Sequence, residues 1–253
     1  MARLELAHAP ANPLARYAEP AAVLRRSTEG SRWSAAAERG RRLFFDAVNT
    51  HLTPSGVVTC GTCHPGGGQD GLTWRLHTAG IPAKRRRTPP AWAGRPTLTP
   101  YHWDGEFGDA AALATTTIRE LMEGDALLVD VDAIAAYMAE VSPPFPRPVS
   151  DPAQVARGRE VFATARCATC HSSDMMQDGL RHRVLSTPGY LGLEEVYTPT
   201  LIGVRARPPY LHDGRAPTLR AVLVEANPDD THGVTSDLSD SDIDALVAYL
   251  LSL

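Results

Sequence analysis

The chain has little cysteine: four residues in 253, and none of them lies outside two short motifs. A disulfide framework would be unusual in a chain this large. It also lacks any long hydrophobic run, since no stretch approaches the ~18 apolar residues that a membrane-crossing helix needs. It has no excess of positive charge. The formal net charge is -4, which leaves no electrostatic footprint for nucleic acid and sets that class of partner aside. The first residues do not read as a signal peptide either, because Met1-Ala2-Arg3-Leu4-Glu5 carries no basic segment followed by an apolar core. A hydrophobic fraction of 43% and a charged fraction of 21% are ordinary for a soluble globular protein.

All four cysteines fall in one word written twice: Cys60-Gly61-Thr62-Cys63-His64 and Cys167-Ala168-Thr169-Cys170-His171. C-x-x-C-H is the attachment site of a c-type haem. Two thiols on one helical turn add to the haem vinyl groups, and the adjacent histidine reaches the iron. A lone C-x-x-C would leave zinc or thiol redox chemistry open. Zinc would need the cysteines to pair with distant ligands at finger-like spacing, and the repeated trailing histidine points elsewhere. The reading is two covalent haem c groups, held by Cys60, Cys63, Cys167 and Cys170, with His64 and His171 as proximal iron ligands. Such haems are attached outside the cytoplasm. The expectation is therefore a periplasmic or otherwise exported protein, met here as a mature chain or as the C-terminal part of a larger one.

The motifs stand 107 positions apart (167 minus 60), one small cytochrome domain per haem. Other words repeat with them. Gly40-Arg41-Arg42-Leu43-Phe44 is echoed by Gly158-Arg159-Glu160-Val161-Phe162. Gln69 to Leu72 reads Gln-Asp-Gly-Leu, as does Gln177 to Leu180, and Trp103-Asp104-Gly105 is answered by His212-Asp213-Gly214. Ser34 is a helix cap before the first motif, and Asp151 followed by Pro152 is a cap and first-turn pair before the second. Each half closes on an amphipathic helix, expected over Val131 to Val141 and Asp240 to Leu253. The expected fold is mainly α: two tandem class I cytochrome c-like domains with long haem-wrapping loops and little sheet. Residues 1–33 read as a lead-in or linker, 34–142 as the first domain, 143–150 as a proline-rich hinge, and 151–253 as the second domain.

With Arg87-Thr88-Pro89-Pro90, Thr198-Pro199-Thr200-Leu201 and Pro208-Pro209-Tyr210-Leu211-His212-Asp213-Gly214 added, the chain resembles the bacterial di-haem cytochrome c peroxidases and the related MauG-type di-haem enzymes. The likeness runs from about Ala35 to Leu253. It implies an oxidoreductase in which the second haem relays electrons to the first for peroxide reduction or oxidation of a protein partner. It also implies a bridging tryptophan, placed at Trp92, and a small redox protein as donor or acceptor. The family's pocket carries a glutamine and a glutamate around the W-D-G word. Here Tyr101 stands near the first place and Asp109 to Leu113 cover the second, so Glu106 and Asp109 are the nearby carboxylates for proton transfer. The family's interdomain calcium is implied too, with Thr88 where an asparagine ligand would be.

The sixth ligand on each iron decides between catalysis and electron transfer. In a cytochrome c domain it comes from the loop before the last helix. That loop offers His232 in the second half, with Met175 and Met176 as rivals, and Met122 in the first. The resemblance adds His77 as an alternative to Met122, a histidine that leaves the iron on activation. A closed first haem would make the chain a non-enzymatic electron-transfer module of a larger exported protein. An open or gated one would make it a peroxidase.

Overall fold

The computed structural model describes residues 33–78, 81–87, 89–94, 96–125, 127–143, 151–184 and 193–253. The lead-in and most of the proline-rich hinge lie outside them. Trp33–Leu253 form one compact unit.

The first half opens with helix α1, Ala35–Phe44, capped by Ser34, whose Oγ accepts the Ala37 N–H at 3.1 Å. A single turn, α2 (Cys60–Cys63), carries the first motif. Strands β1 (Thr73–Thr78) and β2 (Ile81–Arg87) then form an antiparallel hairpin. Helix α3, Ala110–Thr116, runs into a π-helical turn over Thr117–Leu121, and α4, Leu128–Glu140, closes the half. The second half repeats the plan with α5 (Pro152–Thr164), a 3₁₀ turn at Cys167–Thr169, the two-residue pair β3 (Arg181–His182) and β4 (Val196–Tyr197), α6 (Leu219–Leu223) and α7 (Asp240–Leu251). Asp151 caps α5 as expected, accepting the N–H groups of Ala153 and Gln154 at 3.0 and 3.1 Å. Helix α4 starts three residues before the expected Val131, because Leu127 caps it without a side-chain hydrogen bond and leaves no start signal. The β1–β2 hairpin stands where a haem-wrapping loop was expected. The basic run Lys84 to Arg87 hides the strand period of its second arm.

Two contacts explain why the glycine of the repeated Gly-Arg word recurs. A Cβ on Gly40 would sit 1.8 Å from the Ala133 carbonyl oxygen of α4, and one on Gly158 would sit 1.9 Å from the Ala245 oxygen of α7. In each half the first and last helices cross at backbone contact. The phenylalanine four residues on packs edge-to-face against a tyrosine of the closing helix: Phe44 on Tyr137 at 5.1 Å, Phe162 on Tyr249 at 5.3 Å. Each half thus owns an apolar core, one around Ile118, Ile134 and Tyr137, the other around Val161, Leu246 and Tyr249. Burying a side chain of this size stabilises by about 1.5–3 kcal/mol.

Candidate haem sites

Both motifs bend the chain so that histidine follows cysteine onto one wall. The N–H of His64 donates to the Cys60 carbonyl at 2.9 Å, and that of His171 to the Cys167 carbonyl at 3.0 Å. Each imidazole is oriented from behind: Nδ1 of His64 meets the Gly68 carbonyl at 3.2 Å, and Nδ1 of His171 meets the Met176 carbonyl at 2.9 Å. A carbonyl accepts, so both rings carry their proton on Nδ1 and present a bare Nε2. Burial lowers both pKa values, which keeps the rings neutral and able to ligate. No disulfide joins the cysteines. As thiols they would be poor nucleophiles, since burial pushes Cys60 up to about 12 and Cys167 up to about 11. That argues against a thiol redox centre.

Both Cys/His sets face one cavity of about 570 Å³, within the usual range of roughly 300–1,000 Å³ for cofactor sites. Its lining is largely apolar and aromatic, and among the described residues it includes no carboxylate. Cysteine pairs, bare imidazole nitrogens and an apolar wall together fit haem c.

The two sixth-position loops are built differently. His232 is half-buried, and its ring centre lies 6.4 Å from that of His171. Burial, with a smaller contribution from His171, lowers its pKa to about 4. Asn227 pins the loop: Oδ1 accepts the His232 N–H at 2.8 Å, while Nδ2 donates to the Gly233 carbonyl and to Thr235 Oγ1, both at 2.9 Å. A Cβ on Gly233 (φ +84°) would stand 3.5 Å from the Cys167 sulfur, so the loop lies directly on the second motif. In the first half the π turn delivers Met122, whose N–H donates to the Thr117 carbonyl at 3.1 Å. Met122 is 6% exposed and lines the cavity. Such π turns concentrate at functional sites. The side chain of His77, on β1, lies outside the described residues, as does Thr88. Met176 serves His171 through its carbonyl, and Met175 accepts a hydrogen bond from Thr200 the same way.

The remaining candidates separate. Trp92 is 3% exposed in the first core, with the Arg207 guanidinium carbon 5.3 Å from its ring centre, and does not line the cavity. Trp103 does line it, and its ring lies 6.2 Å from that of His212, a residue of the second half that is 1% exposed with no hydrogen bond to Nε2. The repeat of Trp103-Asp104-Gly105 with His212-Asp213-Gly214 marked the two words as equivalent but did not show that they meet. Asp109 caps α3, accepting the Ala112 N–H at 2.7 Å, and stays off the cavity. Glu106 also stays off it but meets Nδ1 of His102 at 2.7 Å, and His102 lines it.

The cytochrome c family model matches residues 155–253. The chain is 28% identical over 242 residues to the methylamine utilization protein MauG of Methylorubrum extorquens, covering 73% of this chain and 66%, about two thirds, of that protein's length. Among solved structures it resembles a chain of Kuenenia stuttgartiensis hydrazine synthase, with a TM-score of 0.73 at 21% identity over 88% of this chain and 89% of that one. It also resembles the diheme peroxidase BthA of Burkholderia thailandensis, with a TM-score of 0.57 at 18% identity over 88% and 86%. At these identities the structures speak for the fold, which they extend across the first half. The second half thus matches the cytochrome c family, and with both attachment words the chain is similar to MauG and shares the fold of a diheme peroxidase.

Proposed function

We propose that the chain holds one covalent haem c at each motif and is an oxidoreductase that passes electrons between them. The distance between the His171 and His232 rings carries this reading. The two rings stand with centres 6.4 Å apart, close enough that His171 and His232 would hold one iron between them. That spacing supports a second iron closed by His171 and His232, poised for electron transfer. The haem supplies the iron redox chemistry, and the chain supplies everything that orients it. Cys60, Cys63 and His64 would hold the first haem, with Cys167, Cys170 and His171 holding the second. Trp103, in the cavity wall against His212, joins Trp92, which packs under Arg207 of the second half, as a candidate for the relay between halves.

In this reading the first half reduces peroxide or oxidises a protein partner. Glu106 orients His102, a cavity-lining group able to give and take a proton there, and Asp109 is occupied as a cap. A small redox protein exchanges electrons with the pair of haems, and the protein works in the periplasm or another exported setting. Met122 favours a second reading, because a buried thioether on the cavity could hold the first iron and would then favour its reduced state as a carrier. A ferric spectrum of the holoprotein with stopped-flow peroxide mixing separates the two. A high-spin fraction that reacts within the mixing shot supports the oxidoreductase. An all low-spin protein inert to peroxide leaves the electron-transfer module.

A further inference from the structure

Asp70 and Asp178 hold the same place in the two halves and make the same two hydrogen bonds. One carboxylate oxygen accepts the backbone N–H two residues on, from Leu72 and Leu180, both at 2.9 Å. The other meets a ring nitrogen four residues on, Trp74 Nε1 at 2.6 Å and His182 Nε2 at 2.7 Å. The scaffold is common and the ring is not. An indole gives up one electron far more readily than an imidazole, so only the first half has an oxidisable ring there.

Trp74 joins the inside of the molecule to the outside. It lines the cavity and is also 36% exposed. The backbone N–H of Asp70 donates to the Cys63 carbonyl at 3.1 Å. Two hydrogen bonds, of 2.6 and 3.1 Å, therefore lead from the indole to a haem-attachment cysteine of the first motif. The hairpin's sequence is also basic. Strand β1 pairs Trp74 with Arg86, and the hairpin's sequence holds Arg75, Lys84, Arg85, Arg86 and Arg87 with no carboxylate, in a chain of net charge -4.

We propose that Trp74 is the port through which the first haem site draws electrons from an acidic redox protein. This rests on the oxidoreductase reading, with peroxide as the oxidant. One electron leaves the indole for the oxidising equivalent stored at the first motif, while the Nε1–H bond breaks and its proton passes to Asp70 Oδ2. The partner then returns one electron to the indolyl radical and Asp70 returns the proton. Trp74 and Asp70 end unchanged, and one electron has moved from partner to site. The basic hairpin raises the local concentration of an anionic donor, an effect that salt screens.

Two measurements on the full-length holoprotein test the port. In the first, flash-generated tris-bipyridyl ruthenium(III) oxidises the ferrous protein and transient absorption follows the haem. Wild type should show an indolyl radical preceding haem oxidation. Trp74→Phe should lose that radical and slow the haem step at least about tenfold, a barrier change of roughly 1.4 kcal/mol. Asp70→Asn should keep the residue but give the radical cation in place of the neutral radical. An unchanged haem step in Trp74→Phe, with unchanged haem content, overturns the port. In the second, peroxide-oxidised protein is discharged by anionic hexacyanoferrate(II). The rate should fall with salt, and should fall at least about tenfold in Trp74→Phe. A rate insensitive to both overturns the acidic-partner assignment. If wild type forms no oxidised species with peroxide, the oxidoreductase reading fails instead, and the flash measurement alone decides the port.

Discussion

The two halves agree in backbone and disagree in the side chains that face the cavity. Gly40 and Gly158 make the same helix crossing, and Phe44 and Phe162 pack on the same tyrosine position. His102 and Leu211 occupy the same left-handed backbone, both at φ +68°. Yet one copy has histidine there and the other leucine. Met122 stands against His232, Trp74 against His182, and Trp103 against His212. Packing fixes the first set, because a changed volume at a helix crossing or core ring is felt at once. The second set lines a space that a cofactor fills, so it is free to diverge in redox and proton chemistry. The lesson is that the scaffold was copied and the haem environment was not.

The largest effect that would sharpen this comparison comes from removing one attachment site at a time. Cys167→Ala with Cys170→Ala should lower a pyridine haemochrome count from two haems per chain to one and collapse the second core, whose Val161, Phe162 and Leu246 pack beside the motif. Cys60→Ala with Cys63→Ala should also give one haem, with loss of the first core. Two haems retained in either double variant would break the one-haem-per-half assignment.

The glycine crossings come next. Gly40→Val and Gly158→Val place a Cβ within 2 Å of a backbone carbonyl, so each should cost more than about 4 kcal/mol, in the range of exceptional destabilisation. Chemical denaturation of the two variants should report similar losses. A mild effect in one half alone would show that the two crossings are not equivalent.

How much of this was legible beforehand depended on whether local sequence carried the reason. The C-x-x-C-H words, the Ser34 and Asp151 caps and the Gly-Arg echo each act within a few residues, and each could be read. Trp103 could not, because its meeting with His212 is a contact across the repeat; Trp92, placed by its spacing from Trp103, is buried and meets Arg207 of the second half, a contact that its spacing did not give. Asp109 carries charge near a W-D-G word, which suggested proton transfer. Its capping of α3 appears only once the helix start is known. The β1–β2 hairpin was missed because five cationic residues mask its alternation.

A middle-sized effect separates the sixth-position loops. His232→Ala should turn the second haem high-spin and leave the first unchanged, since the His232 ring stands 6.4 Å from that of His171 in the second half. Met122→Ala should alter the first haem only, opening its iron and raising its peroxide reactivity. Electron paramagnetic resonance of the ferric protein distinguishes the two signals. A low-spin second haem that survives His232→Ala would place its ligand elsewhere, and rapid peroxide turnover in wild type that Met122→Ala leaves unaltered would argue against a closed first iron and return attention to His77.

The smallest effect bears on Asp109, and the repeat supplies its control. Asp109 lies six residues after Trp103, and Thr218 six after His212. Both cap the helix that follows, Asp109 through Ala112 N–H at 2.7 Å and Thr218 through Ala221 N–H at 3.0 Å. If Asp109 only caps, the residue from the other half should replace it. Asp109→Thr should then keep peroxide turnover and stability close to wild type, while Asp109→Ala should lose about 1 kcal/mol of stability and no chemistry. Glu106→Gln should behave otherwise, because it weakens the partner that orients His102 at the cavity, and its effect should appear as a shifted pH profile rather than a lower melting temperature. Loss of turnover in a fully folded Asp109→Thr would return Asp109 to the proton path and end the equivalence of the two caps.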